Sequence, residues 1–201
     1  MLKGEKTRQR IIAKAAPLFN RKGFESCSMQ AISAATGLEK GSLYSHFETK
    51  EELAVAAFDY AWSASCSART GNLEEAANSV DKLKLHIDKC VSLPPFAGGC
   101  PMLNTAIDSD DGNVFLRRRA QNALHGWVSF LTQIIEEGKS KGEIRASVDA
   151  EALSTLIISL IEGAFMTSKL QKSKQPMLIA QQHLNAHLES QVRCNENQVR
   201  A

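Results

Sequence analysis

The sequence has little that would mark a secreted, membrane-bound or metal-binding protein. Its five cysteines are widely spaced and form no Cys-x-x-Cys pair: Cys27, Cys66, Cys90, Cys100 and Cys194. This pattern provides neither a disulfide framework nor zinc-ligand spacing, and it is typical of a reducing cytosol. The N-terminal segment lacks the apolar core of a signal peptide. The most apolar stretch, residues 153–166, contains Glu162 and is interpreted as too short to cross a bilayer. We therefore expect a cytoplasmic protein with no membrane partner.

Motifs typical of enzymes are also missing from the sequence. There is no phosphate-binding glycine loop, no HExxH, no paired ExxH motif of a di-iron bundle and no serine nucleophile elbow. His183 and His187 lie four residues apart, but we interpret them as a solvated or dimer-facing pair rather than as metal ligands. We predict no catalytic residue, no metal site and no cofactor. An all-helical enzyme is the least favoured of the functions considered.

Positive charge is concentrated at one end of the chain. Residues 1–50 contain nine lysines and arginines against four glutamates, a net charge of +5, whereas the whole chain carries only +2. Residues 51–201 therefore sum to about −3. A basic end on a nearly neutral body suits a polyanionic partner such as DNA.

Apolar residues recur with helical spacing along almost the whole chain, which predicts an all-α fold. The expected helices cover residues 7–21, 29–36, 40–47, 50–70, 73–93, 102–107, 114–139, 149–170 and 176–191. A short strand at residues 83–87 is a minority interpretation, and the tail after Val192 is expected to fray. Thr49 and Glu52 form a capping box that opens the fourth helix. Ser28 is the expected N-cap of the second helix and Gly37 its C-terminal stop.

The first three predicted helices, with a tight glycine turn between the second and third, form the helix-turn-helix arrangement. The second helix ends in Thr36-Gly37-Leu38, residues 40–47 read KGSLYSHF, and residues 50–53 read KEEL. The motif, which covers about residues 8–55, resembles the DNA-binding signature of the TetR family of bacterial repressors. That resemblance implies an N-terminal helix-turn-helix domain over residues 1–50. It also implies a ligand-binding and dimerisation domain over residues 51–201, with the helix at 50–70 joining the two.

With Leu43 and Phe47 facing inward, the third helix presents its N-terminal tip and outer side to the major groove. The predicted base contacts are Lys40, Gly41, Ser42 and Gln30. The predicted phosphate contacts, which are similar to those of the family, are Ser28, Tyr44, His46 and Lys50. Lys3, Lys6 and Arg8 could follow the DNA backbone or minor groove as a flexible arm.

Two residues depart from the usual helix-turn-helix pattern. Glu39 stands where a helix N-cap usually has Ser, Thr or Asp, so the third helix is expected to lack a firm cap. Met29 occupies a position that is often polar, which puts one phosphate contact in doubt.

The C-terminal part supplies the expected dimer interface and ligand site. The last two long helices of TetR-family subunits pack as a four-helix bundle, and the excess apolar surface of residues 149–170 fits that role in a homodimer. Candidate ligand-lining or sensor residues are Trp62, Phe96, Cys100, Met102, Trp127, Phe130 and Phe165. The alternative for each is a core position, which is the usual place of aromatic, Met and lone Cys residues at helical spacing.

Cys100 lies in a Gly-Cys-Pro segment that looks like one shared by a subgroup of the family, some of whose members respond to electrophiles or oxidants. The sequence therefore predicts a repressor that binds a palindromic double-stranded DNA operator, associates with the nucleoid, and is released by a small molecule or a reactive inducer. The alternative is an architectural DNA-binding protein that responds to no ligand.

Overall fold

The computed structural model describes residues 3–92, 96–110 and 112–194, and this part of the chain is helical throughout, as predicted. The helices are α1 (Lys3–Lys22), α2 (Met29–Thr36), α3 (Lys40–Tyr44), α4 (Lys50–Thr70), α5 (Ser79–Ser92), α6 (Pro101–Asp108), α7 (Val114–Ser140), α8 (Ala150–Gln171) and α9 (Gln175–His187). A 3₁₀ turn (Leu73–Glu75) precedes α5, and a π-helical turn (Leu188–Val192) follows α9. Within these residues the only extended pairing is one antiparallel bridge between Ile144 and Arg193.

The chain packs as two compact units. The first contains the described residues within 1–67 and 95–124, and the second contains those within 68–94 and 125–201. This division describes how the residues pack, whereas the division at residue 50 concerns function and stays a prediction. The packing places α6 in the same unit as the helix-turn-helix.

The core of the first unit is built from the apolar sides of α1 to α4. Ile11, Ile32, Leu43, Phe47 and Leu53 are essentially inaccessible to solvent and belong to one cluster. The opening of α4 is a capping box, as predicted. Thr49 Oγ1 accepts a hydrogen bond from the Glu52 amide at 3.0 Å, and the Glu52 carboxylate accepts one from the Glu48 amide at 2.8 Å. These local bonds fix the start of α4 against the three short helices.

The second unit has a separate core, formed by α5, the second half of α7, α8 and α9. Leu83, Ile87, Leu131, Ile135 and Ile157 are fully buried there, and α9 packs against both α8 and α5. The described residues after α9, up to Cys194, are held in place, whereas the predicted fraying of the tail after Val192 falls mainly outside the described part. Val192 is buried, and Arg193 forms ion pairs with Asp81 at 2.7 Å and with Glu189 at 2.6 Å. Residues 195–201 lie outside the described part.

The predicted helix boundaries are right where capping signals are local, and two of the others are wrong as follows. The third helix ends at Tyr44 rather than at residue 47, because Ser45 Oγ bonds to the Ser42 carbonyl and His46 closes a tighter turn onto Leu43. The helix predicted from residue 73 begins only at Ser79. Asn78 Oδ1 caps it by accepting a hydrogen bond from the Asp81 amide at 3.0 Å. Residue 93, its predicted end, lies outside the described part.

The flexible arm predicted at Lys3, Lys6 and Arg8 is also wrong, because α1 already begins at Lys3. Arg8 pairs with Glu52 at 2.8 Å, and its guanidinium lies 4.1 Å from the centre of the Phe47 ring. The ion pair between Arg8 and Glu52 therefore holds α1 against α4.

The 22-residue helix α8 is long and apolar enough to cross a membrane by length and composition alone. The argument that this segment is too short is therefore wrong. In the tested window 44% of the helix is buried inside the protein, and its inner side packs on α9 and α5. The core helix of a soluble protein meets the same criterion, so the length of α8 is weak evidence for a membrane span.

Candidate nucleic-acid interface and ligand site

The helix α3 has one side that is locked into the protein core. Leu43 and Phe47 are buried, as predicted. The five DNA-contact residues predicted on α3 and just after it are all exposed or half-buried: Lys40, Gly41, Ser42, Tyr44 and His46. An added Cβ at Gly41 would meet no atom within 4 Å, so the free protein leaves open space beside this backbone. The N-terminal tip and outer side of α3 are therefore open to solvent.

The turn before α3 is fixed by local hydrogen bonds. Ser28 Oγ accepts from the Ala31 amide at 3.2 Å, which confirms the predicted N-cap of α2, and Gln30 is exposed one residue into that helix. Gly37 ends α2 in the left-handed region at φ 70°, where a side chain would be strained. Ser33 Oγ donates to the Leu38 carbonyl at 2.6 Å. These bonds set the orientation of α3 relative to α2.

The two unusual residues of the motif have structural explanations. Met29 is buried in the core of the first unit, so its side chain packs inside rather than facing a partner. Glu39 stands at the N-cap of α3 with extended backbone and makes no side-chain capping bond, as predicted. The first amides of α3 are thus left without a side-chain cap from Glu39.

Lys50, a predicted phosphate contact, begins α4. Its ammonium lies 4.3 Å from the centre of the Phe24 ring, and its Nζ donates to the Glu25 carbonyl at 3.3 Å. Lys50 and Ser28 therefore both adjoin the loop between α1 and α2. Cys27, at the end of this loop, is fully buried, and burial raises the pKa of its thiol, although Lys50 and Lys22 act in the opposite direction. The thiol form that results is a poor nucleophile at neutral pH.

Helix α6 is bonded directly to α1, a connection that the sequence analysis missed. Asn104 Nδ2 donates to the Asn20 carbonyl at 3.0 Å, and Asn20 Nδ2 donates to the Gly99 and Ala97 carbonyls at 3.0 Å. At the other end of α6, Asp108 Oδ2 accepts from the Phe24 amide at 2.6 Å. No sequence pattern predicts these contacts, because they join positions 77 to 84 residues apart.

Four predicted ligand or sensor residues lie in the first unit. Cys100 and Met102 are buried at the start of α6, and Trp62 and Phe96 are half-buried. Phe96 packs against the helix-turn-helix core and contacts the edge of the Tyr60 ring, with centroids 6.4 Å apart. Within the described residues, none of the five cysteines forms a disulfide. In this unit an open groove of about 450 Å³ runs between α1 and α4, lined by Gln9, Ile12, Ala56, Asp59, Tyr60, Ser63 and Ala64.

Trp127 and Phe130 meet inside the second unit around His86, a residue that the sequence analysis did not single out. Trp127 Nε1 donates to His86 Nε2 at 2.9 Å, and the His86 and Phe130 ring centroids are 5.7 Å apart. Since Nε2 accepts, the imidazole proton sits on Nδ1, which faces the Arg69 carbonyl at 3.3 Å. The Arg69 guanidinium lies 4.1 Å from the centre of the Trp127 ring. Phe165, the third candidate in this unit, is half-buried on α8.

His86 is neutral in this setting. Burial, together with the positive charges of Arg69 and Lys89, lowers the pKa of His86 to about 4. Beside the cluster, Phe130 also lines a small cleft of about 130 Å³ with Thr70, Leu73, Glu74, Lys82, Gln133, Ile134 and Glu137. The cluster and the cleft combine aromatic and polar groups, but this volume is below the roughly 300 Å³ of typical small-molecule sites.

One face of α8 and α9 leaves apolar side chains in solvent. Large hydrophobic residues that are 40% or more exposed follow one another along these helices: Leu156, Leu160, Met166, Leu170, Leu178 and Ile179. Several large apolar side chains exposed along the same pair of helices are typical of an interaction face. It agrees with the predicted excess of apolar surface on residues 149–170.

Comparison with known proteins places this architecture in one family. Residues 11–57 match the model of the bacterial regulatory proteins of the tetR family, and residues 80–184 match that of the tetracyclin repressor-like C-terminal domain. A TetR transcriptional regulator from Chloroflexus aurantiacus is 42% identical and superposes with a TM-score of 0.93, over 97% of this chain and 100% of that chain. A TetR-family regulator from Cytophaga hutchinsonii is 32% identical, with a TM-score of 0.92 over 98% and 99% of the two chains.

A curated relative carries a functional name. The HTH-type transcriptional repressor DhaR of Mycobacterium sp. (strain GP1) is 25% identical over 171 residues, which cover 85% of this chain and 86% of that protein. The matched family and these relatives are transcriptional regulators rather than enzymes. The chain therefore belongs to the TetR family of helix-turn-helix transcriptional regulators.

Proposed function

We propose that this TetR-family repressor binds a palindromic operator as a homodimer and is released by a small molecule or a reactive electrophile. The observation that carries the proposal is α3, whose inner side is fixed by Leu43 and Phe47 while its tip is open to solvent. A helix held this way can enter the major groove without rearranging the core. We assign DNA reading to residues 1–50, and ligand binding and dimerisation to residues 51–201.

Within α3 and α2 we assign two kinds of contact. Base edges are read by Lys40, Gly41, Ser42 and Gln30, where Lys40 can donate to guanine and Gly41 allows close approach of the backbone. Phosphates are bound by Ser28, Tyr44, His46 and Lys50. The Ser28 hydroxyl accepts the Ala31 amide through its oxygen, which leaves its own hydrogen available to a phosphate.

The homodimer is proposed to form through the exposed apolar face of α8 and α9. Two copies would place two α3 helices on one DNA duplex, which suits half-sites about 34 Å apart. A ligand then acts by shifting the equilibrium between a spacing of the two helices that fits successive major grooves and one that does not. The aromatic cluster of Trp127, Phe130 and His86 in the second unit, and Cys100 with Met102, Trp62, Phe96 and Phe165, are the proposed ligand or sensor positions. We expect the protein in the cytoplasm, associated with the nucleoid through its operator.

The two tyrosines of the chain provide a matched test. Tyr44 is 48% exposed and Tyr60 is 42% exposed. Tyr44→Phe removes one proposed phosphate hydrogen bond per subunit, worth about 1 kcal/mol each, so the affinity of a dimer should fall by about 30-fold. Affinity is measured by fluorescence anisotropy on a duplex selected from a random-sequence pool by the wild-type protein.

Tyr60→Phe should bind the same duplex with wild-type affinity. Wild-type affinity for Tyr44→Phe would contradict the assigned contact surface. Steep salt dependence with equal affinity for unrelated duplexes would instead favour an architectural DNA-binding protein.

A further inference from the structure

We infer that Asp108, which lies outside the helix-turn-helix at the end of α6, is a positioning residue for the DNA contact made by Lys50. This inference rests on the proposed function, because it takes Lys50 to be a phosphate ligand. The observations behind it are three consecutive contacts within the first unit, from Asp108 to the loop between α1 and α2, and from that loop to Lys50.

The first contact fixes the loop. Asp108 Oδ2 accepts a hydrogen bond from the Phe24 amide at 2.6 Å. Gly23, the preceding residue, has φ 78°, and a Cβ there would clash with Asp108 Oδ1. The carboxylate thus approaches the loop at a point that only glycine allows. A short, charge-assisted bond to a backbone amide is stronger than a neutral one, so it holds the loop firmly.

The second and third contacts run from the loop to Lys50. The Phe24 side chain presents its ring face to the Lys50 ammonium at 4.3 Å, and the Glu25 carbonyl accepts from Lys50 Nζ at 3.3 Å. A lysine side chain has four rotatable bonds and loses roughly 2 kcal/mol of rotamer entropy when it is held. Because the loop already holds the Lys50 side chain in the free protein, little of this rotamer entropy remains to be lost when DNA binds. The ammonium group keeps further N–H donors for a phosphate.

A second side-chain hydrogen bond connects the segment after α6 to the start of α4. Asn113, just before α7, donates through Nδ2 to the Glu51 carboxylate at the start of α4. The residues on either side of the α6–α7 connection thus bond to the loop before α2 and to the first turn of α4, which are the two places that Lys50 bridges. Displacement of α6 would move the Lys50 ammonium without any contact between α6 and DNA.

The salt dependence of DNA binding tests this inference, since each phosphate contact contributes about 0.9 to the slope of log K against log salt concentration. Lys50→Met should lower the magnitude of the slope by about 1.8 for a dimer with two such contacts. We expect Asp108→Ala to lower it by at least half as much, and Asp108→Ala with Lys50→Met to lower it no further than Lys50→Met alone. Slopes are measured by anisotropy on the selected duplex between 50 and 300 mM salt, which is roughly the range over which such contacts are resolved.

Two variants separate positioning from general loosening. Asp108→Asn keeps an acceptor for the Phe24 amide and should restore the wild-type slope. Asn104→Ala removes the hydrogen bonds from α6 to Asn20 of α1 but none on the path to Lys50, and should also leave the slope unchanged. Thermal unfolding of each variant verifies that it is folded.

The inference would be overturned if Asp108→Ala keeps the wild-type slope, or if the effects of Asp108→Ala and Lys50→Met on the slope add in the double variant. It would also be overturned if Asn104→Ala lowers the slope as much as Asp108→Ala does. If the wild type binds tightly and Lys50→Met keeps its slope, the inference fails while the proposed operator binding stands. If the wild type selects no duplex at all, the operator proposal fails, and this inference fails with it.

Discussion

The buried imidazole of His86 contacts three other residues inside the second unit. His86 accepts from Trp127, faces the Arg69 carbonyl and has the Cys90 sulfur 3.7 Å from its Nε2. A protonated ring would lose its acceptor nitrogen and bring a positive charge beside Arg69 and Lys89. The arrangement therefore tolerates only the neutral ring, which is the physical meaning of its low pKa.

This burial makes stability depend on pH in a defined window. Because the pKa of His86 falls from 6.5 to about 4 on folding, the unfolded state binds the proton more readily between those values. The free energy of unfolding is therefore at its full value above pH 6.5. It decreases by roughly 3 kcal/mol as the pH falls to about 4. Urea unfolding at pH 7 and pH 4.5 should show a smaller pH effect for His86→Gln than for the wild type. Replacing the exposed His125 by Gln should leave the wild-type pH effect, and an equal loss in His86→Gln would contradict this account.

Residues of the helix-turn-helix were easier to predict than His86 or Asp108. Leu43 and Phe47 were recognised as core because their spacing of four places both on one side of a helix. The role of His86 depends on Trp127, which is 41 residues away, and that of Asp108 on Phe24, 84 residues away. A single sequence carries no periodic signal for contacts at such separations.

Among the helices, α8 has the clearest unfulfilled packing requirement. Its inner side carries Leu153, Ile157 and Ile161, all buried, while Leu156 and Leu160 remain exposed on another side. A helix that is apolar on more than one side needs more than one partner. The boundaries of α8 were predicted within one residue, since Asp149 caps it through a hydrogen bond to the Ala152 amide. No local sequence pattern identifies the partner that packs on the outer side of α8.

We predict that a second copy of the chain covers this face. Leu160→Glu would place a buried charge in the interface and should convert the dimer into a monomer of 22.0 kDa. Light scattering after size-exclusion chromatography measures the mass. Leu124→Glu in α7 is a matched control, because Leu124 is 39% exposed and Leu160 is 40% exposed, and it should remain dimeric. If Leu160→Glu also stays dimeric at micromolar concentration, the interface lies elsewhere.

In the molecule as a whole, the helix-turn-helix is packed together with a segment that follows it by more than forty residues. Cys100 begins α6, and Asn104 and Asp108 further along α6 bond to α1 and to the loop after it. A chemical change at Cys100 would therefore act within the same compact unit as the proposed DNA contacts. Cys100 is buried, with 7% of the residue exposed, so a reagent could reach its thiol only when the start of α6 opens locally.

We predict that alkylation of Cys100 releases DNA. N-ethylmaleimide should dissociate the wild-type protein from its selected duplex, because the added group cannot fit at the buried start of α6 without displacing it. Cys100→Ser should resist the reagent. The half-exposed Cys66 and Cys194 serve as controls, and their serine variants should be released like the wild type. Release of Cys100→Ser at the wild-type rate would remove Cys100 as a sensor.

The sequence by itself determined the helical fold, the helix-turn-helix with its buried Leu43 and Phe47, and the basic character of the first 50 residues. These follow from periodicity, capping and charge, which act between residues close in the chain. Only the tertiary structure decided that α6 is bonded to α1, that Lys50 rests on Phe24, and that His86 joins Trp127. Such contacts depend on how distant helices pack, and packing is a property of the whole set of side chains rather than of any local pattern.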